Sequence, residues 1–240
     1  MPDQKNVATV VVAWLLALLV SPATGIAETI AVIGTGEVGS ALGPEFAELG
    51  HTIVYGSREP QRDDVRELVA RTGQGASAAV PGAAAAGADI VVLAVPGLLV
   101  DQVTRSLGDL SGKIIIDPTN ALRRGDDGQL EMGVDTSNAE VIQAAAPEAH
   151  VVKAFNTLNW RQMVDPNTSG GPISIPLVGN SVDAKAKVAG LVEGLGLEPI
   201  DLGPVKNARH VEGMLLLWIN NRAGSRQPFE YHLRKAGPRP

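Results

Sequence analysis

Glycines at positions 34, 36 and 39 constrain this chain more than any other feature. They lie in TIAVIGTGEVGSALG, directly after an apolar run at 29–33 and at the head of a helical segment that reaches about residue 49. A Gly50-His51 turn and a second apolar run at 52–55 follow. Strand, glycine turn, helix and strand within about thirty residues is the setting in which G-x-G-x-x-G signals dinucleotide binding. Each glycine then has a task. Gly34 permits the tight turn out of the strand, Gly36 lets backbone approach a pyrophosphate, and Gly39 lets the helix pack close to the sheet. The pyrophosphate would rest on the free N–H groups at the helix N-terminus.

The rest of the chain agrees with such a unit. Of 240 residues 45% are hydrophobic but only 3% aromatic, so the core must be built from Val, Ile, Leu and Ala. That suits buried parallel strands and the helices that cover them. Helical segments at 61–71, 81–88 and 98–107 alternate with apolar runs at 89–95 and 113–117. This order predicts an α/β fold, a Rossmann-type doubly wound parallel sheet. Right-handed crossovers place the strand ends at Gly34, Gly56, Val95 and Asp117 along one edge, where ligands bind. Val95, Pro96 and the segment Pro118-Thr119-Asn120 would line the crevice, unless the two prolines only stop strands.

Residues 123–133 read as a surface loop. Ser137 followed by Glu140 is a helix start with a capping box. Further strands are expected at 151–155, 173–178 and 197–202, and helices at 158–164, 181–194 and 207–222. The predicted division is a dinucleotide-binding domain at 28–155 and a smaller C-terminal α/β lobe at 156–240, on the side of a second cofactor or substrate. The apolar stretch 214–219 would bury in that lobe or form a homodimer contact.

Residues 1–27 have the three-part layout of a secretory signal peptide: a polar start, an apolar run at 7–20, and a small-residue stretch ending at Ala27. The run is short for a membrane span, which needs about twenty residues. The expected setting is export, periplasmic or membrane-anchored, if the segment is a signal, and cytoplasmic otherwise. The net charge of −6 and the lack of a long basic run argue against nucleic acid as a partner. With no cysteine, disulfides, zinc–thiolate sites and cysteine nucleophiles are excluded. No two of the four histidines stand at metal-ligand spacing, so no metal is expected.

The second strand ends in Tyr55-Gly56-Ser57-Arg58, where NAD-binding units commonly carry an acid for the ribose hydroxyls. Ser57 can donate to a phosphate and Arg58 presents a planar fork of donors. A 2′-phosphate would be attracted, which predicts NADP(H), with Arg62 one helical turn further as a second positive contact. Acid–base candidates are few. There is no Tyr-x-x-x-Lys pair; Lys185 and Lys187 read as solvated, Lys153 lies inside a strand, and His210 is a weak candidate acid. A hydride passing to an aromatic ring cofactor needs proximity and orientation more than an acid–base pair.

IAVIGTGEVGSALG, YGSR, VVLAVP, KIIIDPTN and VVKAFNTL together resemble the NADP oxidoreductases dependent on coenzyme F420, a deazaflavin, and their flavin-using relatives, the STEAP-type metalloreductases among them. The resemblance spans about residues 29–202. It implies an NADPH-dependent oxidoreductase that exchanges a hydride with F420 or with a flavin such as FMN or FAD. Thr35, Gly36, Glu37 and Val38 match the pyrophosphate loop, Ser57 and Arg58 the 2′-phosphate pair, and Val95 and Pro96 a cleft-lining segment. Ala154, Phe155 and Asn156 match a stretch near the second cofactor. Two other readings stay open. One is reduction of a small imine or carbonyl compound, with His210 or a water as acid. The other is a dinucleotide-binding module without turnover of its own.

Overall fold

The computed structural model describes residues 27–223 and 229–237. The expected signal peptide or anchor, up to its last residue, lies outside the described residues. Among those described, no helix is long and apolar enough to cross a membrane.

The first half alternates strand and helix: β1 (Thr29–Ile33), α1 (Glu37–Glu48), β2 (Thr52–Gly56), α2 (Asp63–Thr72), β3 (Ser77–Ala79), α3 (Pro81–Ala86), β4 (Ile90–Leu93), α4 (Val100–Ser106) and β5 (Ile114–Asp117). A hairpin follows, β6 (Leu122–Arg124) and β7 (Leu130–Met132). Then come α5 (Asn138–Ala145), β8 (His150–Lys153), α6 (Trp160–Val164), β9 (Ser174–Gly179), α7 (Val182–Gly194), β10 (Glu198–Asp201) and α8 (Ala208–Ala223). Eight strands form one sheet in the order β10-β9-β8-β5-β4-β1-β2-β3. All its pairs are parallel except β8 with β9. This is the doubly wound α/β sheet read from the sequence. The C-terminal α/β portion extends the same sheet beyond β8, with β9 and β10 running against the other strands.

Every residue of β4 and of β5 is buried, which explains their unbroken apolar runs. Successive residues serve opposite faces. Ile30 and Val32 join Leu42, Phe46 and Val188 in one core layer, while Ala31 and Ile33 join Ala84, Leu107 and Ile142 in the other. With few aromatics, small residues let the layers approach closely. A Cβ at Gly43 of α1 would overlap the Tyr55 ring of β2. The Tyr55 hydroxyl in turn meets Thr72 Oγ1 of α2 at 2.7 Å.

Pro44 lies inside α1. It has no N–H to give the Ser40 carbonyl four residues earlier. Arg71 of α2 supplies a donor instead, at 3.2 Å. Pro176 lies in β9 outside the short stretch, Val178 and Gly179, that pairs with β8. Proline is tolerated there because that side of the ladder does not call on its missing N–H.

Two sequence expectations need correction. Residues 123–133 contain a β-hairpin rather than a plain surface loop. It turns through Gly128 at φ 78°, carries an Arg123–Glu131 ion pair at 2.7 Å, and is clamped by Asn220 of α8, which accepts from the Leu130 N–H and donates to its carbonyl. Lys185 is buried rather than solvated, held by Asp201 at 2.7 Å. Lys187 pairs with Glu28.

Candidate functional site

The glycine loop joins β1 to the N-terminus of α1. Gly34 has φ 106°, a left-handed value that favours glycine, and a Cβ there would overlap the Ala94 carbonyl. Its N–H donates to the Gly56 carbonyl at 3.0 Å, tying the loop to the end of β2. A Cβ at Gly39 would overlap the Gly34 carbonyl. Gly36 is different. It is the N-cap of α1, no side chain caps the helix, and a Cβ there would meet nothing within 4 Å. The protein thus demands glycine at 34 and 39, while at 36 it leaves open space in front of the unsatisfied N–H groups of the first helical turn. That cradle fits a pyrophosphate.

Gly36, Glu37 and Val38 form one side of a cavity of about 270 Å³ whose other side is Ala94, Val95, Pro96, Pro118 and Thr119. The ends of β1, β4 and β5 therefore meet there, at the carboxyl edge of the sheet. Thr35 precedes the N-cap and is half-buried. A larger cavity of about 480 Å³, lined by Gly108, Asp109, Ala146 and Glu148 among others, sits at the opposite edge, where β5 and β8 begin. It is remote from the glycine loop.

Beyond β2, Ser57 is buried, and its Oγ accepts from the Glu59 N–H at 3.2 Å, which leaves its proton to donate. Arg58 is exposed and has no hydrogen bond or ion pair with the described residues. Arg62 is engaged: its guanidinium forks onto Asp64 at 2.5 and 2.9 Å. Of the two arginines, Arg58 is the cation available to a phosphate.

The far wall is a buried polar network. Gly97 lies so close to Asn120 that a Cβ would overlap the Asn120 carbonyl. Asn138 Nδ2 donates to the Gly97 carbonyl at 2.9 Å and to Thr119 Oγ1 at 2.8 Å. Asn120 and Asn156 hold each other, with Asn120 Nδ2 donating to the Asn156 carbonyl and Asn156 Nδ2 to Asn120 Oδ1. Asn156 Oδ1 is left buried without a partner. Ala154 and Phe155 are fully buried. Phe155 has φ 63°, an uncommon value for an aromatic residue, and packs edge-on against Phe46 at 6.3 Å between centroids. Its ring belongs to the core, so a ligand at this point would meet backbone rather than the ring. His210 is exposed on α8. It stands two residues from the buried Glu212, about 200° around the helix.

The sequence reading missed a charged cluster behind this wall. Lys153 Nζ lies 2.6 Å from Asp117 Oδ2 and 2.7 Å from Glu212 Oε1, and all three side chains are 0% exposed. The ends of β5 and β8 place Asp117 and Lys153 side by side. Glu212 is brought in by α8 and also accepts from the N–H groups of Ala121 (3.1 Å) and Asn138 (2.8 Å). Asn138 begins α5, so the carboxylate also meets the positive end of that helix. The available signal was a lone charge in apolar surroundings: Lys153 in VVKAF and Glu212 in HVEGMLLL.

This arrangement defines a dinucleotide-binding α/β domain of the oxidoreductase type. Residues 29–121 match the family described as NADP oxidoreductase, coenzyme F420-dependent. The F420-dependent NADP reductase of Methanothermobacter thermautotrophicus is 30% identical over 207 residues, covering 80% of this chain and 88% of that protein. The crystal structure of a putative F420-dependent NADP reductase from Arthrobacter sp. FB24 is 34% identical with a TM-score of 0.78, covering 87% of this chain and all of that one. Metalloreductase STEAP3 of Rattus norvegicus is 26% identical over 193 residues; the match takes in 79% of this chain but only 37% of the metalloreductase. The chain belongs to the F420-dependent family of NADP oxidoreductases.

Proposed function

We propose that this protein transfers a hydride between NADP(H) and a deazaflavin or flavin ring. The carrying observation is the cavity itself. Among its lining residues only Glu37 is titratable, and the rest are small, apolar or proline apart from Thr119. Such walls offer a ring apolar contact and, beyond Glu37 and Thr119, no side chain that could donate a proton. They suit two stacked rings better than a carbonyl compound that must be protonated. NADPH supplies the hydride when bound. The first-turn N–H groups of α1 hold its pyrophosphate, Ser57 and Arg58 hold its 2′-phosphate, and Val95, Pro96 and Pro118 border the reacting end. On this reading residues 28–155 carry NADP(H) and residues 156–240 face the acceptor.

NADPH oxidation, followed with F420, FMN, FAD or a cyclic imine as acceptor, tests the proposal. Turnover is expected with F420 or a flavin. Turnover with the imine alone would sink it.

The phosphate assignment has its own test. Arg58→Asp should weaken NADPH binding about 10- to 100-fold, the loss of charge-assisted hydrogen bonds. NADH binding should change little. Equal losses for the two nucleotides, measured by titration calorimetry, would remove Arg58 from the 2′-phosphate site.

A further inference from the structure

The Asp117–Lys153–Glu212 cluster does not line the cofactor cavity, but it stands directly behind one wall. Thr119 belongs to that wall. Asp117 Oδ1 accepts from the Thr119 N–H at 2.8 Å and from its hydroxyl at 2.6 Å, and Lys153 Nζ donates to the Thr119 carbonyl at 2.6 Å. Three ionisable side chains without solvent contact are thus one residue away from the cavity.

Two carboxylates share one ammonium. The cluster carries a net charge of −1 when every member is ionised, and none when one carboxyl holds a proton. Burial pushes the Glu212 carboxyl above its ordinary value, and Asp117 adds to the push while Lys153 opposes it. Burial thus favours the protonated form of Glu212 more than water would. Other charges on the packed elements do not offset it. Glu140 of α5 and Arg209 of α8 close on each other at 2.5 Å. His210 points away around α8, and His150 begins β8 at the end opposite Lys153.

The topology fixes which half of a dinucleotide would meet this charge. With the pyrophosphate on α1 and the 2′-phosphate at Arg58 beyond β2, the nicotinamide half must run the other way along the carboxyl edge, toward β4 and β5. Val95, Pro118 and Thr119 stand there. The nicotinamide ring is cationic in NADP⁺ and neutral in NADPH. A buried negative charge acts on it with little screening.

We infer that the Asp117–Lys153–Glu212 cluster is a proton-linked charge that sets the relative affinity of the site for NADP⁺ and NADPH, favouring NADP⁺ when Glu212 is ionised and losing that preference when it is protonated. The inference rests on the cofactor reading above. It assigns Glu212 a poising role through electrostatics, with no contact to the reacting atoms.

The test is the pair of dissociation constants for NADP⁺ and NADPH, measured on the full chain by calorimetry from about pH 5 to pH 9, across the span where a raised carboxyl titrates. The 2′-phosphate also titrates in this span, but both nucleotides carry it, so it cancels in the ratio. In the wild-type protein Kd(NADPH)/Kd(NADP⁺) should rise about tenfold with pH, the scale of one unit charge at about 10 Å in an effective dielectric of about 20. In Glu212→Gln the ratio should stay flat at its acid value. Asp117→Asn, which leaves a neutral Lys153–Glu212 pair, should flatten it as well. A wild-type ratio that ignores pH, or a folded Glu212→Gln variant whose ratio still rises with pH, would overturn the inference. Should the variants fail to fold, the series is repeated in Glu37→Gln, which removes the titratable residue lining the cavity: a ratio that still rises with pH supports the inference, and a flat one overturns it. Failure of both nucleotides to bind would overturn the cofactor reading and the inference with it.

Discussion

Lys153→Met should destabilise this protein by about 3–5 kcal/mol near neutral pH, the usual cost of removing one partner from a buried ion pair. Methionine fills nearly the same volume, so packing is kept. What is lost is the ammonium that stands 2.6 Å from Asp117 and 2.7 Å from Glu212. Two carboxylates would then face each other in a site closed off from solvent. Their escape is protonation: burial already holds the Glu212 carboxyl above its ordinary value, and loss of the opposing ammonium raises it further above that of the unfolded chain. The sign follows directly. A folded state that holds protons more tightly gains stability as pH falls and loses it as pH rises through the raised value. The deficit of Lys153→Met should therefore be largest at neutral and alkaline pH and shrink toward pH 5. Urea unfolding at several pH values measures it. A deficit that is small, or independent of pH, would mean that the cluster is not charged as the geometry requires. Replacing all three residues by apolar ones of similar volume should cost much less than the single change, because no uncompensated charge remains.

The same cluster shows where sequence reasoning reached its limit. The glycine loop and the runs of β1, β4 and β5 were legible because their causes are local. A turn needs glycine where φ is positive, as at Gly34. A strand buried on both faces reads as an unbroken apolar run. The place of Ser57 and Arg58 was legible as well, since they follow β2 directly. Asp117, Lys153 and Glu212 each look ordinary alone, as a strand end, a strand lysine and a helix glutamate. Only the adjacency of β5 and β8 and the return of α8 bring them together. The β6–β7 hairpin was hidden for a similar reason. Part of what holds it is Asn220, ninety residues along the chain from Leu130. Lys185 looked solvated on the α7 pattern because its partner, Asp201, belongs to the end of β10. Phe155 matched a cofactor-side segment, but the left-handed backbone at that position turns its ring against Phe46 in the core.

Gly36→Val should abolish tight NADPH binding while leaving the fold almost untouched. The backbone at Gly36 is extended, with φ −76° and ψ −165°, a conformation valine adopts without strain. No protein atom lies within 4 Å of a Cβ built there. The stability change should stay below about 1 kcal/mol, the scale of a helix N-cap substitution. The isopropyl group would occupy the space before the first turn of α1, where the pyrophosphate needs the N–H groups. Losing those charge-assisted bonds should weaken NADPH about 100-fold or more. The neighbouring glycines make the control. Gly39→Ala drives a Cβ into the Gly34 carbonyl, a backbone atom that cannot rotate away. It should cost about 1–3 kcal/mol of stability, the usual penalty for overpacking. Thermal unfolding and NADPH titration on the two variants would separate a glycine kept for the ligand from one kept for the fold. If Gly36→Val bound NADPH as the wild type does, the cradle at α1 would not be the pyrophosphate site.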